Sequence, residues 1–392
     1  MKGKKSIYTL KGFYLFAFFG LGSLFPLLSV YLEKEQNLTG TQIGMILSVG
    51  PIVLIFFQPI WGFICDKTKT STKVLTLAVI LTGITGMGYL LFENLYLFIL
   101  TAILIAVFQS AIIPVSDSIT ISYMDKVNYS YGNVRLFGSL GYGIAVFIMG
   151  KFSESLGLNI IFYSFFLSLV IASIFAWLAP KEQNIETTNL KEGIHNLITY
   201  KKYLIFLLIT FMIFSPNIAN NNYFGLFIEN RGGTYATIGI AFMIAVCMEI
   251  PFMRFSGLLI GKLGIMWVIL LTGIASLFRW TLYFFEPSMT IIFLSTIIQG
   301  FSLGLFIPAA LQYIREIAPT NTKASAITIY SAVGNGIGNC FCTLIGGFLY
   351  DTYGIFSIYL FFASLSCIGI VITTVLIAIE KKNVITNEVT NI

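Results

Sequence analysis

The stretch "GFICDK", Gly62–Lys67, returns half a chain later as "GLLIGK", Gly257–Lys262. A second echo at nearly the same spacing pairs "IIPVSDSI", Ile112–Ile119, with "FIPAALQY", Phe306–Tyr313. Two matches at one offset point to a duplicated unit, each copy taking about half of the 392 residues. Composition says what that unit is made of. The chain is 57% hydrophobic and only 10% charged, with a mean hydropathy of +0.89, far from the balanced usage of a soluble domain. Read in windows of about 19 residues, it gives twelve apolar segments, the first near 12–32 and the last near 355–379. Each is long enough to cross a hydrocarbon core of about 30 Å as a helix.

The longest polar interruption, "KEQNIETTNLKEGIHNLITYKK" at 181–202, divides these segments six and six. The expected architecture is an all-α membrane protein with a six-helix bundle over 1–180, a cytoplasmic linker over 181–202, a second six-helix bundle over 203–382 and a cytoplasmic tail over 383–392. Six spans return the chain to its starting side, so the two copies share one orientation and form parallel repeats.

Charge sets the expected topology. The first segment runs through Pro26 into "YLEKEQN" with no small-residue cleavage site, so it reads as a retained helix and not a signal peptide. Of the 23 lysines and arginines, three (Lys34, Lys151, Arg231) fall on one side and three (Arg135, Arg254, Arg279) within spans. The rest, including Lys2, Lys4, Lys67, Lys69, Lys73, Lys201 and Lys202, lie in or beside the other set of loops. The positive-inside rule therefore predicts a multi-pass cell-membrane protein with both termini cytoplasmic. The net charge of +6 is this topological bias and carries no implication of nucleic acid. Five cysteines without a C-x-x-C pair read as apolar packing residues, and the only histidine, His195, lies in the linker. No metal site or cofactor is expected.

A charged residue within a span costs at least a few kcal/mol, so it usually faces a partner or a wet path. Asp117 and Arg135 flank Lys126 at equal distances, which puts them at one depth, roughly 13 Å from the turn, on adjacent antiparallel helices. Glu249 and Arg279 are likewise symmetric about Gly264, roughly 22 Å from their turn. Two readings stand: ion pairs that lock helical hairpins, or a polar solute and ion site at mid-depth between the halves. Neighbours at helical spacing favour a site. Ser110, Pro114 and Asp117 share one helix face, as do Arg135, Gly138, Ser139 and Tyr142, although Gly138 and Ser139 suit close helix packing equally well. In "SPNIANNNYFG", Asn217, Asn220, Asn221 and Asn222 fall in one span, as residues lining a wet cavity or flanking a broken helix would.

"GFICDK", with Lys69 and Lys73 after it, resembles the signature between helices 2 and 3 of the major facilitator superfamily, Gly-x-x-x-Asp-Arg/Lys-x-Gly-x-Arg/Lys. The resemblance implies that Gly62, Asp66 and Lys67 form a conformational-switch motif that clamps helix ends on the cytoplasmic side, although Thr68-Lys69-Thr70 lacks the second glycine. "YGNVRLFGSLGYG", Tyr131–Gly143, is similar to the start of helix 5 in the branch that holds lactose permease and the phenylpropionate and nucleoside permeases. There an acid eighteen residues earlier pairs with the arginine and binds sugar hydroxyls, and an aromatic residue seven later stacks on the ring. Those positions are Asp117, Arg135 and Tyr142 here. The branch also places a glutamate on helix 8 and an arginine on helix 9, matched by Glu249 and Arg279. Where lactose permease has a helix 10 histidine and glutamate, this chain has Gln299 and Ser302; where it has helix 7 aspartates, Asn217 and Asn220 stand.

The resemblance therefore implies a secondary transporter for a small polar organic solute of the sugar, nucleoside or aromatic acid class, working by alternating access and proton symport. The expected solute contacts are Asp117, Arg135, Tyr142, Asn217, Asn220, Asn221 and Gln299. Proton coupling would rest on Glu249, Arg279 and Asp117, and the partners are a solute, protons and lipid around a monomer. Efflux by antiport is the alternative. Its usual mark, Gly-Pro followed by Gly-Gly on span 5, is missing from "GSLGYGIAVFIMGKF". A membrane enzyme would need a nucleophile with a base or a clustered pair of acids in the spans, and a transporter-like sensor a soluble output domain larger than "EKKNVITNEVTNI".

Overall fold

The computed structural model describes residues 2–180, 200–319 and 322–390. His195 and most of the expected linker lie outside the described residues. Those described are almost wholly helical, because a chain this apolar must satisfy its backbone N–H and C=O groups within each segment. Among the described residues twelve helices are long and apolar enough to span a membrane: α1 (Ser6–Lys34), α2 (Gly40–Thr68), α3 (Ser71–Leu91), α4 (Leu95–Val127), α5 (Tyr131–Leu156), α6 (Ile160–Trp177), α7 (Lys201–Asn230), α8 (Tyr235–Leu263), α9 (Ile265–Phe284), α10 (Met289–Ile317), α11 (Ser325–Tyr353) and α12 (Ile355–Lys381). The backbone of the last continues as helix to Thr390. Large apolar side chains such as Phe56, Phe63, Leu258 and Phe278 are exposed, as lipid-facing residues are.

Three of the turns repeat with the sequence. Left-handed backbone occurs at Asn37, Lys69 and Gly157, and half a chain later at Gly232, Gly264 and Gly354. These residues end or follow α1, α2 and α5 in one copy and α7, α8 and α11 in the other. At Gly264, φ is +88°, a conformation an L side chain rarely adopts, and its N–H closes α8 on the Ile260 carbonyl. Lys69 makes the same closure on Cys65. Helix contacts repeat too: α3 packs on α4 and α6 as α9 packs on α10 and α12, and α1 meets α6 as α7 meets α12. Two six-helix copies in parallel order are therefore present in backbone as well as in sequence.

Contacts group the chain into two compact units, the first of residues 1–187, 221–243 and 343–351, the second of 188–220, 244–342 and 352–392. In the first, α1 and α5 approach backbone to backbone: a Cβ on Gly141 would fall on the Leu15 carbonyl oxygen. In the second, a π-turn in α7, Thr210–Phe214, packs against a π-turn in α11, Ala332–Gly338. The Ser215 hydroxyl donates to the Gly334 carbonyl at 3.1 Å, and Phe214 lies where a side chain on Gly334 would otherwise stand.

Candidate functional site

In the first unit, α4 is closed by Asn128, whose left-handed backbone (φ +49°) donates to the Met124 carbonyl, and α5 begins at Tyr131 with Ser130 as its N-cap. This tight hairpin holds Asp117 and Arg135 at one depth, as their equal distances from the turn require. Arg135 Nε lies 3.7 Å from Asp117 Oδ1, with the arginine and aspartate side chains 29% and 25% exposed. That is an ion pair with room around it, longer than a hydrogen bond. The same Oδ1 accepts from the Tyr14 hydroxyl at 2.5 Å. The guanidinium sits 4.2 Å from the Phe18 ring centroid and 5.3 Å from that of Tyr14, and the two rings, one helical turn apart on α1, stack at 6.2 Å. Gly138 leaves the space the guanidinium needs, since a Cβ there would lie 2.7 Å from Arg135 Nη1. Tyr142, two turns along the same face of α5, is half-buried, and its backbone packs on Gly22 of α1.

Sequence reasoning missed Tyr14 and Phe18. Both lie in "YTLKGFYLFAFFG", where apolar residues crowd almost every position. Their spacing of four residues is the only signal, and neighbouring phenylalanines blur it.

The second unit arranges its charge differently. Arg279 is fully buried on α9; its Nη2 donates to Gln299 Oε1 at 2.7 Å and its Nε to the Tyr283 hydroxyl at 3.1 Å. Tyr283 in turn shares a hydrogen bond with Ser295 Oγ at 2.6 Å, and the Trp280 ring lies 4.8 Å from the guanidinium. Glu249 does not join this network, and among the described residues it forms no ion pair. Its backbone is pressed against α10, where a Cβ on Gly300 or Gly304 would meet Glu249 N at 2.9 Å or Glu249 O at 2.8 Å. The hairpin does not bring Arg279 and Glu249 together, because the face of α9 that carries Arg279 packs against α10 at Gln299.

The asparagines of α7 divide. Asn217 is buried and donates to the Ile213 carbonyl and to Ser276 Oγ, both at 2.9 Å. Asn220, also fully buried, has no hydrogen-bond partner for either amide atom among the described residues, a state that in a working protein calls for water or a ligand. Asn221 and Asn222 are half-buried, and Asn222 donates to Thr343 Oγ1 at 3.0 Å. The run starts just beyond the π-turn, so these residues sit where α7 departs from regular winding.

Asp66 lies in the last turn of α2, its Oδ1 enclosed without a partner among the described residues. A carboxylate is disfavoured at the negative end of a helix dipole, so local helix stability does not account for it. Lys67 is exposed, and a Cβ on Gly62 would meet open space. Among the described residues no group of His, Cys, Asp and Glu is arranged to hold a metal ion.

Polar clusters buried within apolar helices, on a duplicated six-helix frame, are the arrangement of a carrier, and comparison with known proteins agrees. The profile described as MFS_1 like family matches residues 7–361. The chain belongs to that family. Over 375 residues it is 50% identical to the uncharacterized transporter YwbF of Bacillus subtilis, covering 95% of this chain and 94% of that one. It is 38% identical over 379 residues to the maltose permease of Geobacillus stearothermophilus, with 96% of each covered. The crystal structure of the nucleoside transporter NupG superimposes with a TM-score of 0.86 at 16% identity, over 95% of this chain and 98% of that one, a likeness of fold. This MFS_1-like chain is thus a multi-pass membrane transporter of small solutes and not an enzyme.

Proposed function

We propose that this transporter takes up a sugar, a disaccharide of the maltose kind, by proton-coupled symport with alternating access. The observation that carries the reading is the open Asp117–Arg135 pair over the rings of Tyr14 and Phe18. A carboxylate and a guanidinium side by side accept from and donate to neighbouring sugar hydroxyls, and charge-assisted hydrogen bonds are the strong ones. Tyr142, Asn217, Asn220, Asn221 and Gln299 are the further solute contacts in this reading. The 38% identity to a maltose permease along almost the whole chain favours sugar over nucleoside or aromatic acid. Asp117 and Glu249 are the acids within spans that would carry the proton, with Arg279 held by Gln299 as a fixed positive charge. Both termini face the cytoplasm, and Gly62, Asp66 and Lys67 act in the conformational switch.

The test is uptake into proteoliposomes of maltose, a nucleoside and an aromatic acid, with and without an imposed inward proton gradient, by wild type and Arg135→Ala. Gradient-driven maltose uptake that falls about tenfold or more in the variant, as loss of a charged hydrogen bond implies, is the expected result. Uptake of a nucleoside or aromatic acid instead would replace the substrate class, and uptake indifferent to the gradient would remove the coupling.

A further inference from the structure

The Asp117–Arg135 pair has an unusual geometry for two opposite charges on adjoining helices. A carboxylate and a guanidinium free to approach close into a fork-to-fork pair with two hydrogen bonds of about 2.7–2.9 Å. Here one nitrogen, Nε, stands 3.7 Å from Oδ1. What occupies that oxygen is the hydroxyl of Tyr14, at 2.5 Å. Tyr14 is fully buried, whereas both charged side chains are more than a fifth exposed. The same residue, with Phe18, also lies against the guanidinium, so α1 touches both members of the pair, while Tyr131 of α5 reaches the carboxylate as well.

The position of α1 is not adjustable. Its backbone touches α5 at Leu15 and Gly141, and Gly138 faces Phe18, whose ring carbons would lie 3.1 and 3.2 Å from a Cβ at that site. Phe13 packs edge-on against Tyr14 with centroids 5.7 Å apart. These contacts hold the height of the tyrosine against α5.

We propose that Tyr14 is a positioning residue of the solute site: its hydroxyl holds Asp117 off Arg135, keeping the pair open so that both charges are available to solute hydroxyls. Tyr14 does not itself meet the solute. Without its hydroxyl the carboxylate closes on the guanidinium, and solute must break that pair before it binds. The inference rests on the reading that Asp117 and Arg135 bind the solute.

The experiment is Tyr14→Phe, which keeps the ring and removes the hydroxyl, read in two ways. Phenylglyoxal modification of Arg135 in the purified protein, followed by mass spectrometry against Arg315 as an internal reference, reports whether the guanidinium is engaged. It is expected to slow severalfold in the variant. Maltose uptake is expected to show KM raised about tenfold, the scale of a charged hydrogen bond lost from binding, with maximal velocity largely kept. An unchanged size-exclusion profile and melting temperature accompany both if the fold is intact. Arg135 modification equal to or faster than wild type in Tyr14→Phe overturns the proposal, whatever the transport result. If wild type takes up no maltose, the sugar reading fails on its own and the modification rate still decides the role of Tyr14. Should Tyr14→Phe fail to fold, Phe18→Leu, which frees the guanidinium from one ring while leaving the tyrosine hydroxyl, must leave Arg135 modification undiminished. A decrease there overturns the proposal.

Discussion

Replacing Asp351 by alanine should loosen the end of the first unit at which α2 begins. The Asp351 carboxylate, on α11, accepts from the Gly40 N–H and, at 2.8 Å, from the Thr41 N–H, the first two donors of α2. The third, Gln42 N–H, is already bound by Thr39, whose own N–H is bound by the Gln42 side chain at 3.0 Å. This capping box keeps the helix start intact without Asp351, so the loss falls on the contact between α2 and α11. That contact is close, since Gly347 of α11 packs on the Gly40 backbone and Gly44 lies under the Thr343 carbonyl. Losing cap hydrogen bonds costs about 0.5–2 kcal/mol, and losing an anion at a helix N-terminus about 0.3–1 kcal/mol. For an exposed carboxylate such as Asp351 the lower parts of both ranges apply, giving about 1–2 kcal/mol, or about a 5–30-fold shift toward the separated state. Ser48 is buried one turn along α2 from Gly44, on the same face. In proteoliposomes carrying Ser48→Cys, with the exposed Cys247 and Cys367 replaced by serine, the maleimide labelling rate should rise by that factor when Asp351→Ala is added. A rate within about twofold of the parent would refute the reasoning, because a contact worth more than about 0.5 kcal/mol moves an equilibrium further than that.

Four other substitutions test the structure and the proposed coupling. Gly141→Val should abolish expression of folded protein, measured by fluorescence size-exclusion, because its Cβ falls on the Leu15 carbonyl oxygen and overpacking costs about 1–3 kcal/mol or more; Gly62→Ala, with open space at that site, should express normally. Gln299→Leu removes the acceptor of the buried Arg279 and should cost about 1.5–3 kcal/mol, lowering the melting temperature in detergent by several degrees; an unchanged melt would mean that other partners hold the guanidinium. Glu249→Gln should end gradient-driven maltose accumulation while sparing maltose exchange across the membrane, and accumulation that persists would take the proton off Glu249.

How far the site could be read before folding depended on the kind of question. The depth of Asp117 relative to Arg135 follows from the rise of about 1.5 Å per residue and a tight turn, and the structure forms that pair. The same arithmetic set Glu249 level with Arg279, yet Arg279 faces Gln299 and Tyr283. Depth is a property of one helix; the direction a side chain faces is a property of the pair of faces that pack. Asn220 illustrates the limit from another side, since its polarity marked it, but its complete burial follows only from how α7 and its neighbours pack.

The amino-acid sequence by itself determined the twelve spans and their duplication, because these depend on hydropathy and on motifs over a few neighbouring residues. Only the tertiary structure decided that Tyr14 bonds Asp117 and lies beside Arg135, that Asp351 caps α2, and that Arg279 bonds Gln299 and not Glu249. Those partners are separated by up to some three hundred residues, and no local rule of spacing reaches them. They meet because glycines such as Gly141, Gly300 and Gly347 let particular helix faces approach, and the side chains carried by those faces then have one another for neighbours.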